Sequence, residues 1–233
     1  MTTRRQHVRE MTFRDIKQAA RDLLVTEGLH AVTINAVARS MGMSGPAIYR
    51  YYTSHDDLIV ALTADFYRDL TATVDAVRVP GQVSLLPMSR ALRRWALDNR
   101  AGFGLIFGSP PARIGKEQVG REDRQAASAF GQVFFAEVEA IWNAKRFPVP
   151  ELSALEPQLL DQLESYAREM GGRLPPEAIH VFLNCWIRLY GLLCMEVFQQ
   201  IDFAITDAAP LFEECLKELS DWLGIDYDAA TAT

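Results

Sequence analysis

From Phe13 onward, large apolar residues return at every third or fourth position, and no run of alternating β-branched residues interrupts them. That spacing is one face of an α-helix and leaves no pattern for a half-buried strand, so the chain is expected to be all-α. Phe13, Ile16, Ala20, Leu23 and Leu24 mark a first helix over about 12–29. Thr12 and Asp15 stand as a capping box at its start, and Gly28 suits its end. A short second helix runs from about Ile34 to Met41 with Thr33 as its N-cap, and Gly42 stops it. Ser44 can cap a third helix of about two turns, with Pro46 in the first turn, where a missing N–H costs nothing. Ser54 caps a fourth helix carrying Leu58, Leu62, Phe66 and Leu70 to about Val77, and Asp56 and Asp57 suit the positive end of its dipole.

The segment Val79–Gln82 breaks the pattern and divides the chain. Residues 1–11 form a basic N-terminal arm, 12–54 a helix-turn-helix head that continues into the fourth helix to about 77, and 80–233 a larger helical domain. Helices are expected there over about 85–99, 101–108, 119–145, 156–170, 176–201 and 208–223. The loop at 108–115 and the proline-bearing linker at 147–151 punctuate them.

Two short helices joined by Gly42-Met43-Ser44, after a longer one, make an arrangement that offers its second helix to the major groove of DNA. Ile48 and Tyr52 share one face of that helix, as Val37 and Met41 do on the preceding one, and these four make a small core. The opposite face carries Gly45, Ala47, Tyr49 and Arg50, with Pro46 and Tyr51 beside it. Charge agrees with this division. The net charge of −6 conceals a head (1–54) with eight basic and four acidic residues, against an acidic remainder. A basic head on an acidic body suggests that only the head approaches a polyanion. Arg4, Arg5 and Arg9 add to it, either as an arm that reaches the minor groove or phosphate, or as a free basic terminus.

The 233 residues, 49% of them hydrophobic, can bury a sizeable core. No stretch reaches the roughly 18 uncharged apolar residues of a membrane span, and the N-terminus lacks a signal-peptide core. A cytoplasmic location and no membrane partner are therefore expected. Cys185, Cys194 and Cys215 have the spacing of neither a disulfide framework nor a zinc site, and read as small hydrophobes. His7, His30, His55 and His180 are dispersed. With no nucleophile elbow, metalloprotease helix, P-loop or dinucleotide fingerprint, no catalysis, metal or cofactor is expected.

The run FRDIKQAARDLLVTEGLHAVTINAVARSMGMSGPAIYRYYTSHDDLIVAL resembles the DNA-binding domain of the tetracycline-repressor (TetR) family of bacterial regulators. Ala19-Ala20, Gly28, Thr33, Ala38, Gly42, Ser44, Ile48 to Tyr52 and Leu58 carry the likeness over about 50 contiguous residues. It implies an all-α homodimer with an operator-binding head and a domain that binds a small molecule and dimerises. Its DNA contacts fall on Thr33, Ser44, Gly45, Pro46, Ala47, Tyr49, Arg50, Tyr51 and His55. Thr33 and Ser44 would meet phosphates, Gly45, Pro46, Ala47 and Tyr49 would lie along base edges, Tyr51 would reach phosphate, and Arg50 phosphate or a guanine. Two departures stand out. His55 replaces a lysine phosphate anchor near the start of the fourth helix, and Gly45 has no side chain with which to bond a base.

The later segments ALRRWALDNRAGFGLIFGSPP, FAEVEAIW and CWIRLYGLLCMEVF resemble the ligand domain of a subgroup named for a Trp, a His and a Gly. Trp186 and Gly191 match, and Tyr190 stands where that subgroup has histidine. Tyr67, Trp95, Phe103, Phe107, Phe134, Trp142, Trp186 and Tyr190 are candidates to line a pocket for a hydrophobic or aromatic effector, while for any single one of them ordinary core packing is the simpler reading. Leu183, Ile187, Leu211, Cys215, Leu219 and Trp222 supply apolar stripes for a dimer interface, or else close the core of one protomer. The expected function is a ligand-responsive regulator, most simply a repressor, of double-stranded operator DNA. An activator of the same fold, or an adaptor that keeps the head's shape, are the alternatives.

Overall fold

The computed structural model describes residues 4–108 and 121–228, and there the helical period is realised as ten α-helices with no strand. They are α1 (Arg4–Glu27), α2 (Ile34–Ser40), α3 (Gly45–Ile48), α4 (His55–Asp75), α5 (Leu85–Asp98), α6 (Arg100–Phe107), α7 (Glu122–Ala144), α8 (Pro157–Glu169), α9 (Pro176–Val197) and α10 (Ala209–Leu223). The chain divides into two compact units, Met1–Thr71 with Asn99–Phe130, and Ala72–Asp98 with Gly131–Thr233.

In the first unit, Ile16, Ala20 and Leu24 of α1, Ile34 and Val37 of α2, Ile48 of α3 and Leu58 and Leu62 of α4 are buried together as the core. Ion pairs from Lys17 to Asp65 and from Arg21 to Asp69 tie α1 to α4. The Arg21 guanidinium also lies 4.2 Å over the Phe66 ring. On its other flank that ring meets Gly102 of α6, where an added Cβ would come within 2.4 Å of it. The close approach of α4 and α6 therefore requires glycine at this position.

The second unit is organised on α9, which packs against α5, α8 and α10. Two bidentate ion pairs fasten α5 to its neighbours: Arg93 to Glu196 of α9, and Arg90 to Glu213 of α10. Arg90 further donates to the carbonyl of Asp228 and lies over the Tyr227 ring, so the segment after α10 is held on the same residues. Helix α9 is long and apolar enough, by length and composition, to cross a membrane. It carries the ion-paired Glu196 and Arg188 and packs against three other helices.

Four local expectations are corrected. Helix α1 begins at Arg4 instead of Thr12. The Thr12 hydroxyl donates to the carbonyl of Val8 at 2.9 Å, the mid-helix use of threonine, so no capping box forms there. Arg4 and Arg9 are thus helical, and no extended arm exists among the described residues. Ser44 occupies the N-cap of α3 without a side-chain capping bond, and α3 is a single turn. Helix α9 ends at Val197 because Gln199 adopts φ 57°, the left-handed conformation that stops a helix. The expected caps Thr33 and Ser54 do bond, to the N–H groups of Ala36 and Asp57. Of the loop expected at 108–115, only Gly108 lies within the described residues.

Candidate nucleic-acid interface

Two backbone bonds set the angle between α2 and α3. Gly42 at φ 65° lets its own N–H reach the carbonyl of Arg39 and that of Met43 reach the carbonyl of Ala38, closing a Schellman turn. The chain then extends through Ser44 and restarts as α3 at Gly45. Ile48 is fully buried and Tyr52 is 7% exposed, so the inward face is the expected one. Met41 is only half-buried.

Outward, Tyr49 is 52% exposed, and Pro46, Arg50, Thr33, Ser44 and His55 are also exposed. Gly45, Ala47 and Tyr51 are half-buried. Tyr51 differs from its neighbours because its ring packs edge-on against Phe13 of α1, with centroids 5.1 Å apart. Tyr52 meets the same Phe13 ring at 5.5 Å. Burial, and then the charges of Asp65 and Glu122, push the Tyr52 phenol well above its ordinary pKa, so it stays neutral. His55 places Nε2 2.6 Å from the carbonyl of Val32. A carbonyl only accepts, so this nitrogen carries the proton and is committed within the unit, leaving Nδ1 to face outward.

Two sets of cations stand out in this unit. Lys17, Arg21, Arg68 and Arg121 are neutralised by Asp65, Asp69, Glu122, Asp56 and Asp123. Arg4, Arg14, Arg39 and Arg50 are exposed, and among the described residues they make no ion pair. Arg9 has none either, and sits 5.6 Å over the Phe13 ring that supports Tyr51. Charge left unpaired on α1, on α2 and just after α3 is charge available to an external anion. Arg14 and Arg39 are absent from the expected contacts, because pairing partners distant in sequence decide which cations remain free.

The expected pocket residues fall into separate groups. Tyr67, Phe103 and Phe107 lie in the first unit and cluster with Phe130. The Tyr67 hydroxyl donates to the carbonyl of Ile106, and burial pushes this phenol up to about 12. In the second unit, Phe134 meets Trp186, whose ring is stacked on Tyr190 at 5.9 Å. Trp142 instead packs on Phe147, beneath the Arg146 guanidinium, and Trp95 is buried within α5. Phe134 and Trp186 border a small recess of about 20 Å³, with Ser89, Phe182 and Cys185 among the other lining residues. That volume holds one water-sized body and no effector. Sequence periodicity did not single out Phe182 or Ser89, since either reads as ordinary helix interior.

Of the residues expected at a dimer interface, Ile187 is 65% and Trp222 40% exposed. Leu183 and Leu211 are half-buried, and Cys215 and Leu219 are buried inside the unit. Burial pushes the thiols of Cys185 and Cys215 up to about 12 and about 11, as for unreactive core residues.

Comparison with known proteins accords with this geometry. Residues 16–62 match the family described as bacterial regulatory proteins, tetR family, and residues 85–219 match the tetracyclin repressor-like C-terminal domain. The HTH-type transcriptional regulator Rv1816 of Mycobacterium tuberculosis is 29% identical over 218 residues, covering 90% of this chain and 91% of its own. The solved structure of SCO4313, described as a regulatory protein, is 30% identical, covers 93% of this chain and 98% of its own, and superposes with a TM-score of 0.71. A protein from Rhodococcus sp. RHA1 shares the fold at 16% identity, with 92% and 95% coverage and a TM-score of 0.63.

Proposed function

The chain belongs to the TetR family and is a helix-turn-helix transcriptional regulator, not an enzyme; from that premise we propose that it is a cytoplasmic repressor that binds a palindromic operator as a homodimer and is released by a small hydrophobic or aromatic effector. The observation that carries this reading is the pair Tyr49 and Arg50. Both are exposed at the end of the recognition turn, and among the described residues neither side chain has a hydrogen bond or ion pair. A polar side chain that projects from a turn anchored in the core, with no internal partner, is prepared for an external one.

Thr33, Ser44 and Tyr51 would position the head on phosphates, and Gly45, Pro46, Ala47 and Tyr49 would face base edges. His55 would add a weaker contact, since Nε2 is already bound to Val32. Two heads must reach successive major grooves about 34 Å apart on one side of the duplex, which a symmetric dimer provides. Ile187 and Trp222 are the expected residues still open for that pairing, with Leu183 and Leu211 at its margin. The effector would enter at Phe134, Trp186 and Tyr190, enlarging the small recess there. Helix α4 begins at the recognition unit and ends in the other one, so it is the element proposed to couple occupancy to the heads. The effector needs only a higher affinity for the released state.

The test is selection of bound duplex from a random pool, followed by titration of aromatic compounds against the complex. The reading predicts an inverted repeat and at least one compound that binds and weakens DNA affinity. A pool that yields no enriched sequence contradicts it.

A further inference from the structure

Gly45 stands at the start of the recognition turn and has no side chain to offer a base pair. Its surroundings show what takes that place. A Cβ built on Gly45 would lie 2.9 Å from Oδ1 of Asn35, closer than real Cβ contacts come. The Asn35 carboxamide therefore rests against the Gly45 backbone, in the space a side chain at 45 would need. Asn35 is exposed on α2, and among the described residues its side chain makes no hydrogen bond. It lies one turn before Arg39, which is exposed and without an ion pair, so the two share the face of α2 that borders α3. Ile34, Val37 and Ala38 hold the opposite face of α2 in the core, which fixes the position of the carboxamide.

We infer that Asn35 supplies the base-reading group that Gly45 lacks, and that the glycine is there to admit it. A carboxamide offers one donor and one acceptor side by side, the pattern complementary to N7 and N6 of adenine in the major groove. The residue determines specificity at one A·T pair in each half-site. This inference rests on the reading of the head as a DNA-binding unit.

Four proteins carry the test: the wild type, Asn35→Ala, and Gly45→Ala with and without Asn35→Ala. Each is put through selection from a random pool, and its affinity is then measured for the wild-type operator and for a scrambled duplex. Alanine suits an exposed helix position, so Asn35→Ala is expected to melt at or above the wild-type temperature. It is expected to lose preference for adenine at one symmetric pair of positions. Affinity for the operator should fall about 5- to 150-fold, with scrambled duplex unaffected. Gly45→Ala alone should weaken operator binding by displacing the carboxamide, and should add little once Asn35 is alanine. If the wild type selects an operator and Asn35→Ala selects the same one with full affinity, the inference is overturned and the reading of the head stands. If the wild type selects nothing, both fall.

Discussion

Tyr49 and Arg50 face outward while Ile48 and Tyr52, on either side of them, are buried. Their removal should therefore leave the core intact. Tyr49→Ala and Arg50→Ala are each expected to cost about 1–3 kcal/mol of operator affinity with an unchanged melting temperature. Fluorescence anisotropy against the selected operator, beside a thermal melt, measures both; full affinity in either variant contradicts the assignment of that face. This inward–outward division could be read from the sequence because four-residue spacing alone sets it. The position of Tyr51 could not, since its half-buried state depends on Phe13, which the chain brings back from 38 residues away. Asn35 escaped for a similar reason. Nothing local to it announces that its side chain leans on Gly45.

Among the elements, the bidentate pair between Arg90 of α5 and Glu213 of α10 has a consequence for acid stability. The Arg90 guanidinium bonded to Glu213, with the Tyr227 hydroxyl donating to the same carboxylate, holds its pKa below the ordinary value. A carboxylate depressed in the folded state contributes stability that is fully present above its unfolded pKa, near 4.3. That contribution disappears as the pH falls through the lower folded value. Glu213→Gln is expected to lower stability by about 1–3 kcal/mol at neutral pH. It should also flatten the loss of stability below about pH 4.3. Urea denaturation of both proteins at neutral and acid pH measures the difference, and parallel curves would show that the pair contributes nothing. The helices themselves were legible wherever apolar spacing or a cap marked them, as with Thr33 and Ser54. The first turns of α1 were not. Residues 4–11 are mostly polar, with only Val8 and Met11 apolar, too few for periodicity to speak there, and Thr12 imitates a cap. The end of α9 was hidden because Gln199, not glycine, takes the left-handed position.

For the whole molecule, charge asymmetry and the motif at 41–58 made the DNA-binding role legible, while the effector site was not. Aromatic residues at helical spacing look the same whether they border a cavity or fill a core. Only the folded chain separates Tyr67, Phe103 and Phe107 from Phe134, Trp186 and Tyr190. The central claim is that the unpaired cations beside α3 meet a polyanion. It is tested most directly by the salt dependence of operator affinity. A dimer making 6–10 phosphate contacts should lose about 10³- to 10⁵-fold in affinity between 50 and 200 mM salt. The slope of log affinity against log salt should become shallower by about one for each phosphate contact that Arg50→Ala removes. Affinity that is indifferent to salt, or a slope unchanged in that variant, would contradict the account.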